Sequence, residues 1–135
     1  MLEVPLLVRV LKDSIEDLSK ARSEKDVQDL VGFRLGNYMK TEVRKIVQVR
    51  GLPYAEIDLL LNEKVAVEVK LDSQYREGLD QVLILRDIYG YTPVLVHVTK
   101  SFSSEEIEAL RRIAEREGFQ IVVVHLNRRE VMLFG

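Results

Sequence analysis

Two short runs, Glu56 to Leu61 and Val65 to Lys70, constrain this chain more than any other stretch. Ile57, Leu59, Leu61, Val65, Val67 and Val69 hold odd positions, whereas Glu56, Asp58, Glu68 and Lys70 hold even ones. Side chains alternate across a strand, so the pattern predicts a β-hairpin with one apolar and one acidic face. A loop of Asn62, Glu63 and Lys64 pairs Leu61 with Val65 and, counting inward, sets Asp58 opposite Glu68. Directly opposed residues hold their Cβ atoms only about 4.5–5.5 Å apart. Two carboxylates so placed repel unless a proton or a cation lies between them. Lys70, two residues along the same face, adds an ammonium. The expected product is a site for a divalent metal and a water.

With 135 residues, the chain is expected to form one domain, 1–135, with a single core. Its 20 basic and 22 acidic residues leave a net charge of −2, so any polyanion must be met by a local patch. The absence of cysteine excludes disulfides and thiolate metal sites. His97 and His125 both lie inside apolar runs, where a core or strand-end role is expected, and a histidine-built zinc site is not. No apolar stretch approaches the length of a membrane span and no cleavable secretory signal is apparent, so a cytoplasmic protein without membrane partners is expected.

Helical spacing of Leu7, Val10, Leu11, Ile15 and Leu18 predicts a helix from Val4 to about Ala21, with Pro5 in its first turn. Ser23 reads as the N-cap of a second, longer helix, with Glu24 and Asp26 in its first turn. Val27, Leu30, Val31, Leu35, Tyr38, Met39, Val43, Ile46 and Val47 supply its buried stripe. Gly32 and Gly36 mark close packing or a break, and Arg50-Gly51-Leu52-Pro53 ends it. After the hairpin come a polar loop from Asp72 to Gln74 and a helix from about Arg76 to Tyr89, apolar on most sides. Val94 to Val98 and Gln120 to Leu126 read as buried strands, with a capped helix from Ser103 to Gly118 between them and a last strand from Glu130 to Phe134. The order α-α-β-β-α-β-α-β-β implies an α/β fold, a mixed sheet flanked by helices.

Asp58, nine residues, Glu68, one residue and Lys70 resemble the signature of the PD-(D/E)XK nuclease superfamily, which includes restriction endonucleases, Mrr-like enzymes and archaeal Holliday-junction resolvases. The resemblance spans roughly Ser23 to Thr99, although Ile57 stands where the motif's leading proline is usual. It implies a restriction-endonuclease-like fold and a metal-dependent endonuclease hydrolysing DNA phosphodiesters, branched or structured DNA included. The implied cofactor is Mg²⁺ or Mn²⁺, held by Asp58, Glu68 and the backbone carbonyl of Val69, with Lys70 orienting the attacking water. The glutamine frequent in the following helix is matched by Gln81. The acid on the preceding helix is matched best by Glu42, with Asp29 as the alternative. Arg44, Lys45 and Arg50, together with Tyr75 and Arg76 on the loop after Lys70, are the candidate DNA contacts. Cutting both strands of a duplex calls for two sites, hence an expected homodimer with the first helix across its interface.

Two other readings compete. One is a catalytically inactive nuclease fold serving as a nucleic-acid-binding or assembly module. The other is an ordinary solvated hairpin in which Glu56 and Lys70 form a cross-strand ion pair. Against the second, Leu60 and Ala66 share the acidic face, so that face is expected to be covered.

Overall fold

The computed structural model describes residues 2–72 and 75–135; Ser73 and Gln74, in the polar loop expected from Asp72 to Gln74, lie outside the described residues. The first helix, α1 (Glu3–Asp13), buries Val4, Leu7, Val10 and Leu11. Full burial of a leucine contributes about 1.5–3 kcal/mol. This stripe packs inside the domain's largest core cluster. The chain breaks at Ser14, and a single turn, α2 (Ile15–Leu18), follows. Arg34 fastens this break to the next helix, donating to Ser14 Oγ at 2.7 Å and pairing with Asp17 at 2.5 Å.

Helix α3 (Glu24–Leu35) begins where Ser23 was expected to cap it: Ser23 Oγ accepts from the Asp26 amide at 3.1 Å. It does not continue to Val47. Gly36 and Asn37 turn the chain, and Thr41–Val47 forms strand β1. Thr41, Val43, Ile46 and Val47 are β-branched, which favours a pleated surface over a helix. The strand turns its apolar side onto α3, where Gly32 permits close approach. A Cβ on Gly32 would stand 2.5 Å from Val43 Cγ2 and 3.1 Å from Leu59 Cδ2.

The hairpin forms as β2 (Ala55–Leu61) and β3 (Val65–Leu71), with Leu61 opposite Val65 as the loop length requires. Helix α4 (Tyr75–Asp87) leads to β4 (Thr92–Thr99), and α5 (Ser104–Glu117) leads to β5 (Gln120–His125) and β6 (Glu130–Phe134). A capping box between Ser103 and Glu106 starts α5, and Gly118 in the left-handed conformation ends it. The six strands lie in chain order in one mixed sheet: β3, β4 and β5 run parallel, and the other neighbours pair antiparallel.

Helices α1–α3 cover one face of the sheet, over Leu59, Leu61, Val65, Val67, Val69 and the even-numbered valines of β4 and β5. Helices α4 and α5 cover the other, over Leu95, Ile121 and Val123. The fold is therefore α/β with helices on both faces, in the order α-α-α-β-β-β-α-β-α-β-β, one strand and one helix richer than the sequence suggested. Helix α4 is amphipathic, with Leu79, Val82 and Leu85 buried while Ile84 and Ile88 are exposed, contrary to the expectation of apolar contact on most sides. Among the described residues no helix is long and apolar enough to cross a membrane.

Replacing Gly32 by alanine sets a helix-propensity gain of about 1 kcal/mol against overpacking of the stiff Val43 side chain, which typically costs about 1–3 kcal/mol. We expect net destabilisation in urea unfolding, reversed when Gly32→Ala is combined with Val43→Ala.

Candidate metal and phosphodiester site

Strands β2 and β3 stay paired only from Leu61↔Val65 to Leu59↔Val67. Beyond that point they part, so Asp58 and Glu68 are not the ladder partners that the count implied. At the same level on the neighbouring strand β1, Arg44 adopts a left-handed φ of 50°. The β1–β2 ladder runs to Val43↔Leu59 and resumes at Lys45↔Ile57, on the far side of this kink. Strict alternation is lost there as well. Ile57, expected beside Leu59, packs instead with Leu60, Ala66 and Leu85 beneath α4.

In a strand, each residue sends its N–H and C=O to the same neighbour, and successive residues alternate between neighbours. Val69 and Leu71 therefore aim at the vacated β2 side. Buried amides need partners, and two carboxylates supply them. Asp58 Oδ2 accepts from the Val69 amide at 2.7 Å, and Glu24 Oε2 accepts from the Leu71 amide at 3.2 Å. The carbonyl of Val69 shares that edge. Glu24 was read from the sequence only as a favourable charge in the first turn of α3. Its position against β3 depends on how the helix packs, and nothing local in the sequence announces it.

Glu68 is only 3% exposed. Burial first, and the neighbouring Asp58 carboxylate second, push its carboxyl up to about 9. Lys70, 8% exposed, lies two residues on along the same face, and its Nζ stands 3.9 Å from Glu24 Oε1. Its stem runs beneath α4, where a Cβ on Gly78 would stand 3.1 Å from Lys70 Cγ and 2.5 Å from Leu95 Cδ1. Among the described residues the cross-strand pair between Glu56 and Lys70 does not form, since β2 and β3 part before reaching them and Lys70 turns to Glu24. Leu60 and Ala66 are buried as expected, with Leu85 of α4 over them.

Gln81 is exposed and shares a cleft of about 190 Å³ with Ala55, Glu56, Glu68, Ile84 and Leu85. The structure thus gathers Asp58, Glu68, Val69, Lys70 and Gln81 around the end of β3. It separates the others. Glu42 lies on β1 rather than on a helix, opposite Leu60, and pairs with Lys45 at 3.1 Å and Lys40 at 3.6 Å. The Lys45 ammonium holds its carboxyl below the usual range. Asp29, the alternative, pairs with Arg44 at 2.8 Å. Arg44 also bonds Gln28 of α3 at 3.0 Å, so it is turned away from the cleft that it was expected to border. Arg50 is exposed between β1 and β2. Tyr75 and Arg76 open α4 rather than sit on a loop; Tyr75 packs on the core beneath α4 and α5, and Arg76 is exposed.

His97 and His125 are core and strand-end residues, 1% and 5% exposed. Burial pushes the His97 imidazole down to about 4, and its ring lies 4.7 Å from that of Phe102.

Among the described residues no three histidine or carboxylate side chains form a ready-made metal cage. A small divalent cation such as magnesium does not need one, since one or two carboxylates suffice when waters and a phosphate complete the shell. Asp58 and Glu68 fit that requirement. They are two carboxyl groups crowded together, one of them buried, which cannot both carry charge comfortably without a cation. Compared with family models, curated proteins and solved structures, the chain gives no match.

The two large shifts set a testable pH dependence. Between about 4.5 and 9, folded Glu68 holds a proton that the unfolded chain releases, so its contribution to stability declines as pH rises. Between about 4 and 6.5, the unfolded chain instead protonates His97, which the fold keeps neutral, so stability rises with pH there. The two oppose one another in acid, and Glu68 acts alone above about 6.5. In EDTA, melting temperature is expected to fall from pH 6.5 to 9, a slope that Glu68→Gln flattens. Mn²⁺ is expected to raise the melting temperature more at pH 8 than at pH 5.

Proposed function

We propose that this protein is a magnesium- or manganese-dependent endonuclease that hydrolyses DNA phosphodiester bonds. The observation that carries the reading is the crowded pair of Asp58 and Glu68 at the parting of β2 and β3, with a buried lysine two residues on. A solvated hairpin has no reason to hold a carboxyl group 3% exposed against a second one. The specification of DNA comes from the resemblance of Asp58, Glu68 and Lys70 to the PD-(D/E)XK motif, not from charge or composition.

In this reading Asp58 and Glu68 hold the cation, with the Val69 carbonyl on the same edge. When bound, the metal acidifies a water and offsets negative charge on the phosphate. The Lys70 ammonium orients the nucleophile and counters charge that develops during attack. Glu24 holds the end of α3 against β3 and stands beside Lys70 Nζ, so it fixes where that ammonium lies. The Gln81 amide is placed to bond a phosphate oxygen or the attacking water. Arg50 and Arg76, both exposed, are the candidate cations that form no ion pair among the described residues. A symmetric pair of chains is the arrangement that would cut both strands of a duplex.

Titration calorimetry is expected to show Mg²⁺ or Mn²⁺ binding that Asp58→Ala removes. Nuclease assays on linear, single-stranded and branched DNA are expected to show metal-dependent cutting, lost in Asp58→Ala, Glu68→Ala and Lys70→Ala with circular dichroism unchanged. Equal cutting by Lys70→Ala and wild type would reject the role given to that lysine. Metal binding without cutting of any substrate would transfer the site to a nuclease-fold binding or assembly module.

Gly78→Ala tests the seating of that lysine. We expect it to lower the cutting rate by roughly tenfold through displacement of Lys70, on the order expected when a reacting group is misplaced. Metal affinity in the same calorimetric titration is expected to stay unchanged.

A further inference from the structure

The cleft beside Glu68 shares Glu68 and Gln81 with the hydrolytic groups but has apolar walls that they do not use. Ala55, Ile84 and Leu85 give it apolar walls, and Glu56, Glu68 and Gln81 give it a polar edge; Asp58 and Lys70 do not line it. Its volume of about 190 Å³ equals that of roughly six waters at ~30 Å³ apiece. It lies below the ~300–1,000 Å³ of sites that enclose whole ligands. One planar ring system fits, whereas a base pair does not.

Charge narrows the occupant further. No basic side chain lines the cleft, so a phosphate finds partners only at its polar edge, where Glu68 and Gln81 stand, and not between its apolar walls. The two carboxyl groups at that edge favour a neutral ring carrying N–H donors, and the Gln81 amide can both donate and accept. Gln81 and Ile84 on α4, and Ile88 just past its end, recur at helical spacing. The stripe stays open to solvent, with Ile84 46% and Ile88 51% exposed. Tyr89 Oη donates to the Pro53 carbonyl at 2.6 Å, which holds the end of α4 beside the loop carrying Tyr54, itself 71% exposed. An exposed apolar stripe and an exposed aromatic ring thus lie near the cleft.

We propose that this cleft receives one unpaired nucleobase of the nucleic acid whose backbone lies at Asp58, Glu68 and Lys70. This rests on the nuclease reading and adds a substrate class to it. A base stacked and paired within a duplex cannot enter, so the site favours nucleic acid with an unpaired or extruded nucleotide. A neighbouring base stacked on Tyr54, outside the cleft, would tolerate any sequence, since every base presents a π-face.

The test compares a fully paired DNA duplex with the same duplex carrying one bulged nucleotide, in Mg²⁺ or Mn²⁺. Wild type is expected to cut near the bulge roughly tenfold faster than within the paired duplex. Ala55→Leu, which fills the cleft from β2, is expected to collapse that ratio toward one, with thermal melting checking that the variant folds. A second measurement does not need cutting: Lys70→Ala is mixed with DNA carrying 2-aminopurine at the bulge. Emission is expected to rise as the base leaves its stacked neighbours for aliphatic walls, and Ala55→Leu in that background is expected to suppress the rise. Equal cutting of the bulged and paired duplexes would overturn the proposal while leaving the nuclease reading intact. An emission rise with no cutting of any substrate would keep the base site and remove the nuclease. Neither cutting nor an emission rise would remove both.

Discussion

Everything around the candidate site follows from the early end of one ladder. Strand β3 has a full parallel partner in β4 but loses β2 after Val67, and the amides of Val69 and Leu71 are left facing a gap inside the protein. Unpartnered backbone donors in such a place are costly, so carboxylates are drawn in from two separate elements. Asp58 comes from the departing strand and Glu24 from the start of α3. The cleft beneath α4 lies beside the same parting, and Glu68 stays next to Asp58 there. The carboxylate anchors on Val69 and Leu71 are thus consequences of one backbone event, and a residue that restored the ladder would displace them together.

The sheet-forming half of the chain was largely legible. Period-2 alternation, the Asn62-Glu63-Lys64 loop, the continuous apolar runs of β4 and β5 and the Ser103 cap each act locally, and the structure follows them. The stretch after Gly36 misled because Val43, Ile46 and Val47 stand at spacings of three and four that suit a helical stripe as well as a strand. Only the sheet's need for a partner along β2 decides between them, and that need is tertiary. Once β1 replaces the end of the helix, Glu42 can no longer be the helix acid, and its two lysines occupy it instead.

The site was legible in its chemistry and less so in its geometry. Asp58, Glu68 and Lys70 could be picked out because three polar groups interrupt a face that Leu60 and Ala66 require to be covered. The kink at Arg44 could not, since a left-handed φ at an arginine has no sequence signal of the kind that glycine gives. With the kink unseen, Ile57 is expected on the wrong face; Arg44, expected beside the site from a helix, sits on β1 and turns to α3 instead. Glu24 was missed for a related reason: its partner is a main-chain amide 47 residues away.

Gly78 has a mechanical meaning as well. Because no side chain separates α4 from the lysine stem beneath it, the helix roofs Lys70, and solvent meets little of that amine. Acylating reagents that label exposed lysines will therefore pass over this one while the roof is down. Its labelling rate then becomes a clock for how often that layer lifts.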